Sequence, residues 1–172
     1  QFRELSTFIH KGSRTNKENK HIERFLSTEL SKKKFEELAN YAKKQSIKRI
    51  CTPFDEASVD FIKELNLEAI KIASCSSKDW PLIEKIANAG LPIIFSTGGL
   101  KIDDIDNLVS FLDHRACNFS IMHCVSIYPT RKEDCNLVQI SVLKNRYPEK
   151  VIGWSTHEDP NNLQAVQMGY AL

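Results

Sequence analysis

Short apolar runs alternate with longer amphipathic segments from residue 48 to the end of the chain. The short runs are rich in β-branched residues and apolar almost throughout, which is typical of strands covered on both faces. We predict strands at Arg49–Thr52, Ala69–Ser74, Pro92–Ser96, Asn118–Val125 and Val151–Ser155, and helices near 56–65, 79–89, 102–113, 134–147 and 160–171. Asp55 and Asp79 are predicted helix N-caps. This order indicates repeated βα units around a parallel sheet.

The first 47 residues follow a different pattern. Residues 3–30 mix basic, polar and glycine residues without a clear period, so we expect a flexible excursion there. Ser31–Ser46 has the Lys/Glu-rich composition of a surface helix that leads into the first strand. No break in composition marks a second domain, and we predict that 1–172 belong to one domain.

Polar side chains at the strand ends favour a closed barrel over an open sheet. Five predicted strands do not close a barrel of eight, and an open doubly wound sheet is the alternative. Yet almost every strand ends in a hydroxyl, cationic or imidazole group, namely Thr52, Lys71, Ser74, Ser96, Thr97, His123, Ser126, Ser155 and His157. In a parallel barrel all these ends meet at one face. We therefore predict an α/β fold, a parallel TIM-type barrel, represented by about five of its eight βα units.

Charge and composition exclude several classes of protein. With 24 Lys+Arg against 22 Asp+Glu, the net charge of +2 is too small for a nucleic-acid-binding face. No apolar run approaches the roughly 20 residues of a membrane span, and the N-terminus lacks a leader pattern. The 5 cysteines are odd in number and contain no CxxC pair. We expect reduced thiols and a cytoplasmic location.

Six short motifs, which follow one another along the chain, narrow the choice of protein family. They are CTPFD (51–55), IKIAS (70–74), PIIFSTGG (92–99), MHCVSIYPT (122–130), EDCNL (133–137) and GWSTHED (153–159). In content and order they resemble the N-acetylneuraminate synthase family. The resemblance implies condensation of phosphoenolpyruvate with an N-acetylated hexosamine aldehyde, to give a sialic-acid-like nonulosonic acid and phosphate. It also implies a divalent metal, Mn²⁺ or Mg²⁺, and a homodimer. The chain would be the central part of the barrel, without its first strands, its last strand and a C-terminal antifreeze-like domain.

The expected phosphoenolpyruvate site combines one cation with several hydroxyl groups. Lys71 lies in an apolar strand, where an ammonium group needs an anionic partner or must extend its head to the surface. Strand-end hydroxyls can donate to phosphate oxygens, although a lone one is more often a cap or turn former. Gly98 and Gly99 permit close backbone approach. Together with the resemblance, these features assign Thr52, Lys71, Ser74, Ser96, Tyr128 and Ser155 to phosphoenolpyruvate.

The assignments to the metal and to the acceptor sugar follow from the resemblance. His157 stands where the family has a metal ligand, whose second histidine has no counterpart that we can assign. Thr156 replaces the Asp before that histidine, and Glu158 or Asp159 could substitute for it. Gln1, Ser76 and Ser126 are assigned to the acceptor sugar, the last two at positions that depart from the family pattern. His123 and Cys124 are interpreted as packed core residues, and we identify no general base.

Two other functions stay open at this stage. Lys71 could form a Schiff base with a keto acid in a barrel aldolase or lyase, which borohydride trapping with pyruvate would reveal. Alternatively, the departures at Ser76, Ser126 and Thr156 are consistent with a non-catalytic domain that binds sugar phosphates.

Overall fold

A five-stranded parallel sheet forms the centre of the fold. The computed structural model describes residues 20–159, 161 and 163–171. Its strands are β1 (Ile50–Cys51), β2 (Ala69–Ile72), β3 (Ile93–Ser96), β4 (Phe119–Cys124) and β5 (Val151–Ser155). Each strand pairs in parallel with the next one along the chain. This sequential order is that of a β/α barrel wall, as predicted, and differs from the crossed order of a doubly wound sheet.

Helices precede the sheet and connect its strands. They are α1 (Lys20–Ser27), α2 (Lys32–Lys44), α3 (Glu56–Glu64), α4 (Trp80–Ala87), α5 (Ile102–His114), α6 (Val138–Arg146) and α7 (Gln164–Ala171). Short 3-10 turns cover Ser74–Ser76 and Lys132–Asp134. None of the described helices combines the length and the apolar content that crossing a membrane requires.

The helix starts follow from local hydrogen bonding. The Asp55 side chain accepts the backbone N–H of Ser58 at 2.8 Å, and Asp79 accepts that of Leu82 at 3.3 Å. Both predicted N-caps are thereby confirmed. Pro81 lies in the first turn of α4, where its missing N–H leaves no hydrogen bond unmade.

Two predictions about helices were wrong in part. The segment 134–147 is not one helix, because Asp134 ends a 3-10 turn, 135–137 are not helical, and α6 covers only Val138–Arg146. The expected excursion at 3–30 contains helix α1 over its last third. The amphipathic spacing that indicates α1 was missed because the segment is short and strongly charged. The rest of that expectation, at 3–19, lies outside the described residues, as does Gln1.

The two faces of the sheet differ sharply in burial. Ile70, Ile72, Ile93, Phe95 and Ile121 face the helices and are at most 1% exposed. The alternate residues Lys71, Ile94, Ser120 and Met122 are only half-buried, and the strand register places them on the same side. We call this side, which also carries Ser96, Cys124, Gly153 and Ser155, the inner face. The apolar core therefore lies between the sheet and the helices, and the inner face is free to hold polar groups.

Candidate active site

The Ser74 side chain makes two hydrogen bonds in the candidate site. Ser74 follows β2, and its Oγ accepts the backbone N–H of Gly98 at 3.2 Å. The same hydroxyl donates to Sγ of Cys124, at the end of β4, over 3.7 Å. One side chain therefore joins the carboxyl ends of three neighbouring strands, where parallel barrels carry their active sites.

Gly98 allows these groups to meet. A Cβ atom built on it would lie 2.3 Å from Oγ of Ser126, 3.0 Å from Oγ of Ser74 and 3.2 Å from Sγ of Cys124. Any side chain at position 98 would therefore collide with the site. The absence of a side chain leaves the Gly98 backbone in direct contact with two hydroxyl groups.

Lys71 extends across the inner face toward the other side of the sheet. Its Nζ lies 3.4 Å from Oγ of Ser155, at the end of β5. Ser155 pairs in register with Cys124, so this contact lies beside the Ser74 group. The prediction that Lys71, Ser74 and Ser155 share one face is confirmed by this geometry.

His157 is oriented by the loop after β4. Its Nδ1 lies 2.8 Å from the carbonyl oxygen of Val125. Because a carbonyl oxygen can only accept, Nδ1 carries the hydrogen, and Nε2 of the neutral ring keeps its lone pair. Nδ1 also lies 4.0 Å from Sγ of Cys124. The imidazole therefore belongs to the same cluster as Ser74.

The Tyr128 ring lies against the imidazole of His157, with the ring centroids 4.1 Å apart. Desolvation raises the pKa of the Tyr128 phenol, and negative charge on the nearby Cys124 and Cys75 sulfurs raises it further. The phenol is consequently protonated at neutral pH and can donate a hydrogen bond. Its side chain is 72% exposed and accessible to a ligand.

Ser96 is a buried hydroxyl group available for a ligand. It is 2% exposed, and its Oγ has no hydrogen-bond partner among the described residues. Buried polar atoms nearly always have a partner, so an unpaired one on the inner face indicates a place for a bound group. Thr52 and Ser76 are buried as well, at 9% and 7% exposure. Within the described part of the chain, no side-chain hydrogen bond joins Thr52, Ser76 or Ser96 to the Ser74 cluster.

Neither proposed substitute for the missing Asp before His157 hydrogen-bonds to the imidazole. Oε1 of Glu158 accepts from the Cys135 thiol at 3.4 Å. Oδ1 of Asp159 accepts the backbone N–H and the side-chain amide of Asn161, both at 2.9 Å. In the described residues Glu158 therefore links the loop after β5 to the loop after β4, and Asp159 bonds within the loop after β5.

His123 and Cys124 are both buried, as expected, but they lie on opposite faces of the sheet. His123 is 4% exposed on the helix side, and its Nε2 donates to the carbonyl oxygen of Cys135 at 2.8 Å. Cys124 is also buried, at 6%, but it lies inside the candidate site between Ser74 and His157. The two-residue alternation through Ser120 and Met122 was the signal that places position 124 on the inner face.

The site offers one imidazole to a metal ion. Nε2 of His157 has the lone pair that a divalent cation needs. Among the described residues, no group of three or more His, Cys, Asp or Glu side chains could hold a metal. His157 therefore fits as a single ligand, and the described residues do not supply a complete metal centre.

The sequential parallel sheet is a segment of a β/α barrel. Its polar cluster lies at the carboxyl ends of the strands, where barrel enzymes carry their active sites. The chain belongs to the NeuB family, whose sequence profile matches residues 3–172. A solved structure of a spore coat polysaccharide biosynthesis protein E from Chromobacterium violaceum is 43% identical, with a TM-score of 0.92 over 99% of this chain and 51% of that one.

Other relatives carry names that refer to sialic acid. A sialic acid synthetase structure from Leptospira borgpetersenii, in complex with citrate, is 33% identical with a TM-score of 0.81, over 92% of this chain and 55% of that one. The N-acetylneuraminate-9-phosphate synthase of Drosophila melanogaster is 37% identical over 76% of this chain. The chain spans 35% of the length of that curated relative and 42% of a Methanocaldococcus jannaschii relative that is 41% identical over 83% of this chain.

Proposed function

We propose that the chain supplies the phosphoenolpyruvate-binding part of an enzyme that makes a sialic-acid-like nonulosonic acid and releases phosphate. The observation that carries the proposal is the position of the Lys71 ammonium on the inner face, against the Ser155 hydroxyl and beside the Ser74 cluster. A cation among hydroxyl and backbone N–H donors is suited to a small anion with several oxygens.

Relatives with different products support the general reaction. Besides the fly enzyme, an N,N'-diacetyllegionaminic acid synthase from Campylobacter jejuni is 35% identical over 75% of this chain. A pseudaminic acid synthase from Helicobacter pylori is 33% identical over 87%. Because the named products differ, the acceptor sugar of this chain is not assigned beyond an N-acetylated hexosamine-type aldehyde.

In the proposed reaction, C3 of phosphoenolpyruvate attacks the aldehyde carbon, water adds at C2, and phosphate leaves to give a 2-keto acid. Lys71 and the hydroxyls of Ser74 and Ser155 hold the anionic groups, which contributes positioning and charge stabilisation. The Tyr128 phenol can donate a hydrogen bond to a phosphate oxygen, and the unpaired Ser96 hydroxyl can contribute another. We assign no general base.

The proposed cofactor is Mn²⁺ or Mg²⁺, with Nε2 of His157 as its ligand from this chain. Such an ion polarises a carbonyl group as a Lewis acid when it is bound. We also propose that Thr52 contacts phosphoenolpyruvate. The proposed contacts to the acceptor sugar come from Gln1, Ser76 and Ser126. The cytoplasmic location and the homodimer also remain predictions.

A coupled phosphate assay tests the proposal. The full-length protein, with Mn²⁺, is incubated with phosphoenolpyruvate and a panel of N-acetylated hexosamines. We expect phosphate release that requires both substrates, with phosphoenolpyruvate alone as the control. Tight binding of phosphoenolpyruvate without phosphate release for any sugar would support a non-catalytic binding domain instead.

A further inference from the structure

Two loops of the candidate site are joined at the peptide group that follows His157. The backbone N–H of Thr130, in the loop after β4, donates to the carbonyl oxygen of His157 at 2.9 Å. The next residue, Glu158, accepts from the Cys135 thiol of the same loop at 3.4 Å. The peptide group after His157 is therefore held by one backbone bond and one side-chain contact.

Cys135 lies where this loop meets the helix side of the sheet. It is 2% exposed, and its carbonyl oxygen accepts from Nε2 of the buried His123. Burial and the neighbouring Glu158 carboxylate raise the pKa of the Cys135 thiol to about 11. The thiol is therefore protonated at neutral pH, and its one hydrogen has two acceptors 3.4 Å from Sγ, the Glu158 carboxylate and the Arg131 carbonyl oxygen.

One carboxylate oxygen of Glu158, Oε2, is buried without a hydrogen-bond donor among the described residues. A buried carboxylate oxygen without a donor is unfavourable, and such exceptions to local rules concentrate at functional sites. In the described part of the chain Glu158 makes no hydrogen bond to the imidazole, and its connection to the ring is the peptide group that it shares with His157.

We propose that Cys135 and Glu158 are positioning residues that hold the His157 imidazole in one orientation. In that orientation Nδ1–H donates to the Val125 carbonyl oxygen, and Nε2 is left with its lone pair. The use of Nε2 in the reaction rests on the proposed function. The orientation itself is a property of this chain that can be measured without substrate or metal.

The test uses the full-length protein with ¹⁵N-labelled histidine and NMR of the ring nitrogens. The His157 signals are assigned by their loss in His157→Gln. In Cys135→Ala and in Glu158→Ala, we expect the two ring-nitrogen shifts to move toward each other as the Nδ1–H tautomer loses its preference. Exchange of the Nδ1 hydrogen with solvent should accelerate by at least about ten-fold, because the hydrogen bond to Val125 is made less often.

Conservative and distant variants separate positioning from general destabilisation. Cys135→Ser keeps a donor and should retain the parent His157 signals, as should Cys117→Ala, whose half-buried thiol lies near Ala87. The double variant Cys135→Ala with Glu158→Ala should resemble each single variant, since residues that act through one contact are not additive. If Glu158→Ala fails to fold, Cys135→Ala carries the test.

Unchanged His157 signals in a folded Cys135→Ala protein would overturn the proposal. So would equal changes in Cys135→Ser and Cys135→Ala, because the donor would then be irrelevant. Failure of the proposed function has a different signature. The parent protein would then release no phosphate, while the NMR comparison would keep its outcome.

Discussion

Nζ of Lys71 lies 3.4 Å from Oγ of Ser155, although β3 and β4 separate their strands. In a flat sheet, three strand spacings of about 4.8 Å would put the two backbones roughly 14 Å apart. The contact therefore requires a sheet that curls around its inner face, as a barrel wall does. The same curvature brings the polar ends of β2, β4 and β5 into one site.

Gly98→Ala should disrupt the candidate site more than the fold. The added Cβ would lie 2.3 Å from Oγ of Ser126, so the loop or Ser126 must shift. We expect phosphoenolpyruvate affinity to fall by about ten-fold or more, measured by calorimetric titration of the full-length protein.

A second substitution provides the control for Gly98. Ser126→Ala removes the closest atom, and adding it to Gly98→Ala should restore part of the lost affinity. Restoration should be incomplete, because Ser74 and Cys124 still lie within 3.2 Å of the new Cβ. Parent-like binding by Gly98→Ala alone would show that this contact does not shape the site.

Glu68→Gln should destabilise the protein in a pH-dependent way. Arg49 is buried at 8% exposure and donates to both carboxylate oxygens of Glu68. These bonds lower the pKa of Glu68 to about 2, below its unfolded value of roughly 4.3. The stabilisation is therefore complete above about pH 4.3 and is lost as the pH falls toward 2. Urea unfolding should show the largest difference from the parent at neutral pH.

An exposed ion pair offers the matched control for Glu68. Lys85 and Asp60 lie 2.8 Å apart, with side chains 39% and 55% exposed. Asp60→Asn should change the free energy of unfolding little at any pH, since solvent screens such pairs. A Glu68→Gln effect that persisted unchanged at pH 2 would contradict the assignment to the ionised carboxylate.

Cys135 should resist alkylation, whereas Cys75 should not. The Cys135 thiol is 2% exposed and has its pKa raised to about 11, and only the thiolate is nucleophilic. Cys75 is exposed beside the candidate site. Iodoacetamide at pH 8 followed by peptide mass spectrometry should label Cys75 first. Prompt labelling of Cys135 in the folded protein would contradict both its burial and its role as a donor.

Much of the fold could be predicted because each strand and helix carries its own local pattern. The apolar runs at Ile70–Ile72 and Ile93–Phe95 identify strands covered by helices, and the side chains of Asp55 and Asp79 mark helix starts. Helix boundaries were less predictable. α6 begins three residues after the 3-10 turn at Lys132–Asp134, and no hydrophobic period reveals that interruption.

Some members of the site could be predicted, but not its connections. Strand-end position selected Ser74 and Ser155, whereas His157 was assigned from its strand-end position together with the family resemblance. The placement of Cys124 between Ser74 and His157 depends on the register of β4 with its neighbours, which a single sequence does not contain. The pairing of Cys135 with Glu158 depends in the same way on how two loops pack.

His157→Ala should weaken the binding of Mn²⁺ by the full-length protein. Nε2 of His157 carries the lone pair that the described site offers to a metal. Removal of this ligand should reduce Mn²⁺ affinity by at least about ten-fold in a direct metal titration. His114→Ala is the control, because this exposed histidine lies in α5 with its Nδ1 2.8 Å from the Ser110 carbonyl oxygen. Equal Mn²⁺ affinity for His157→Ala and His114→Ala would remove His157 from the metal site.

The most direct test of the proposed function is the affinity of Lys71→Met for phosphoenolpyruvate, measured by calorimetric titration of the full-length protein. Methionine keeps much of the apolar stem and removes the charge, so the fold should persist. A charge-assisted hydrogen bond of roughly 1.5–3 kcal/mol predicts a loss of affinity of about ten- to hundred-fold. Lys71→Arg should restore little, because the planar guanidinium needs different space. Parent-like affinity in Lys71→Met, or a borohydride-trapped pyruvate adduct on Lys71 of the parent, would contradict the account.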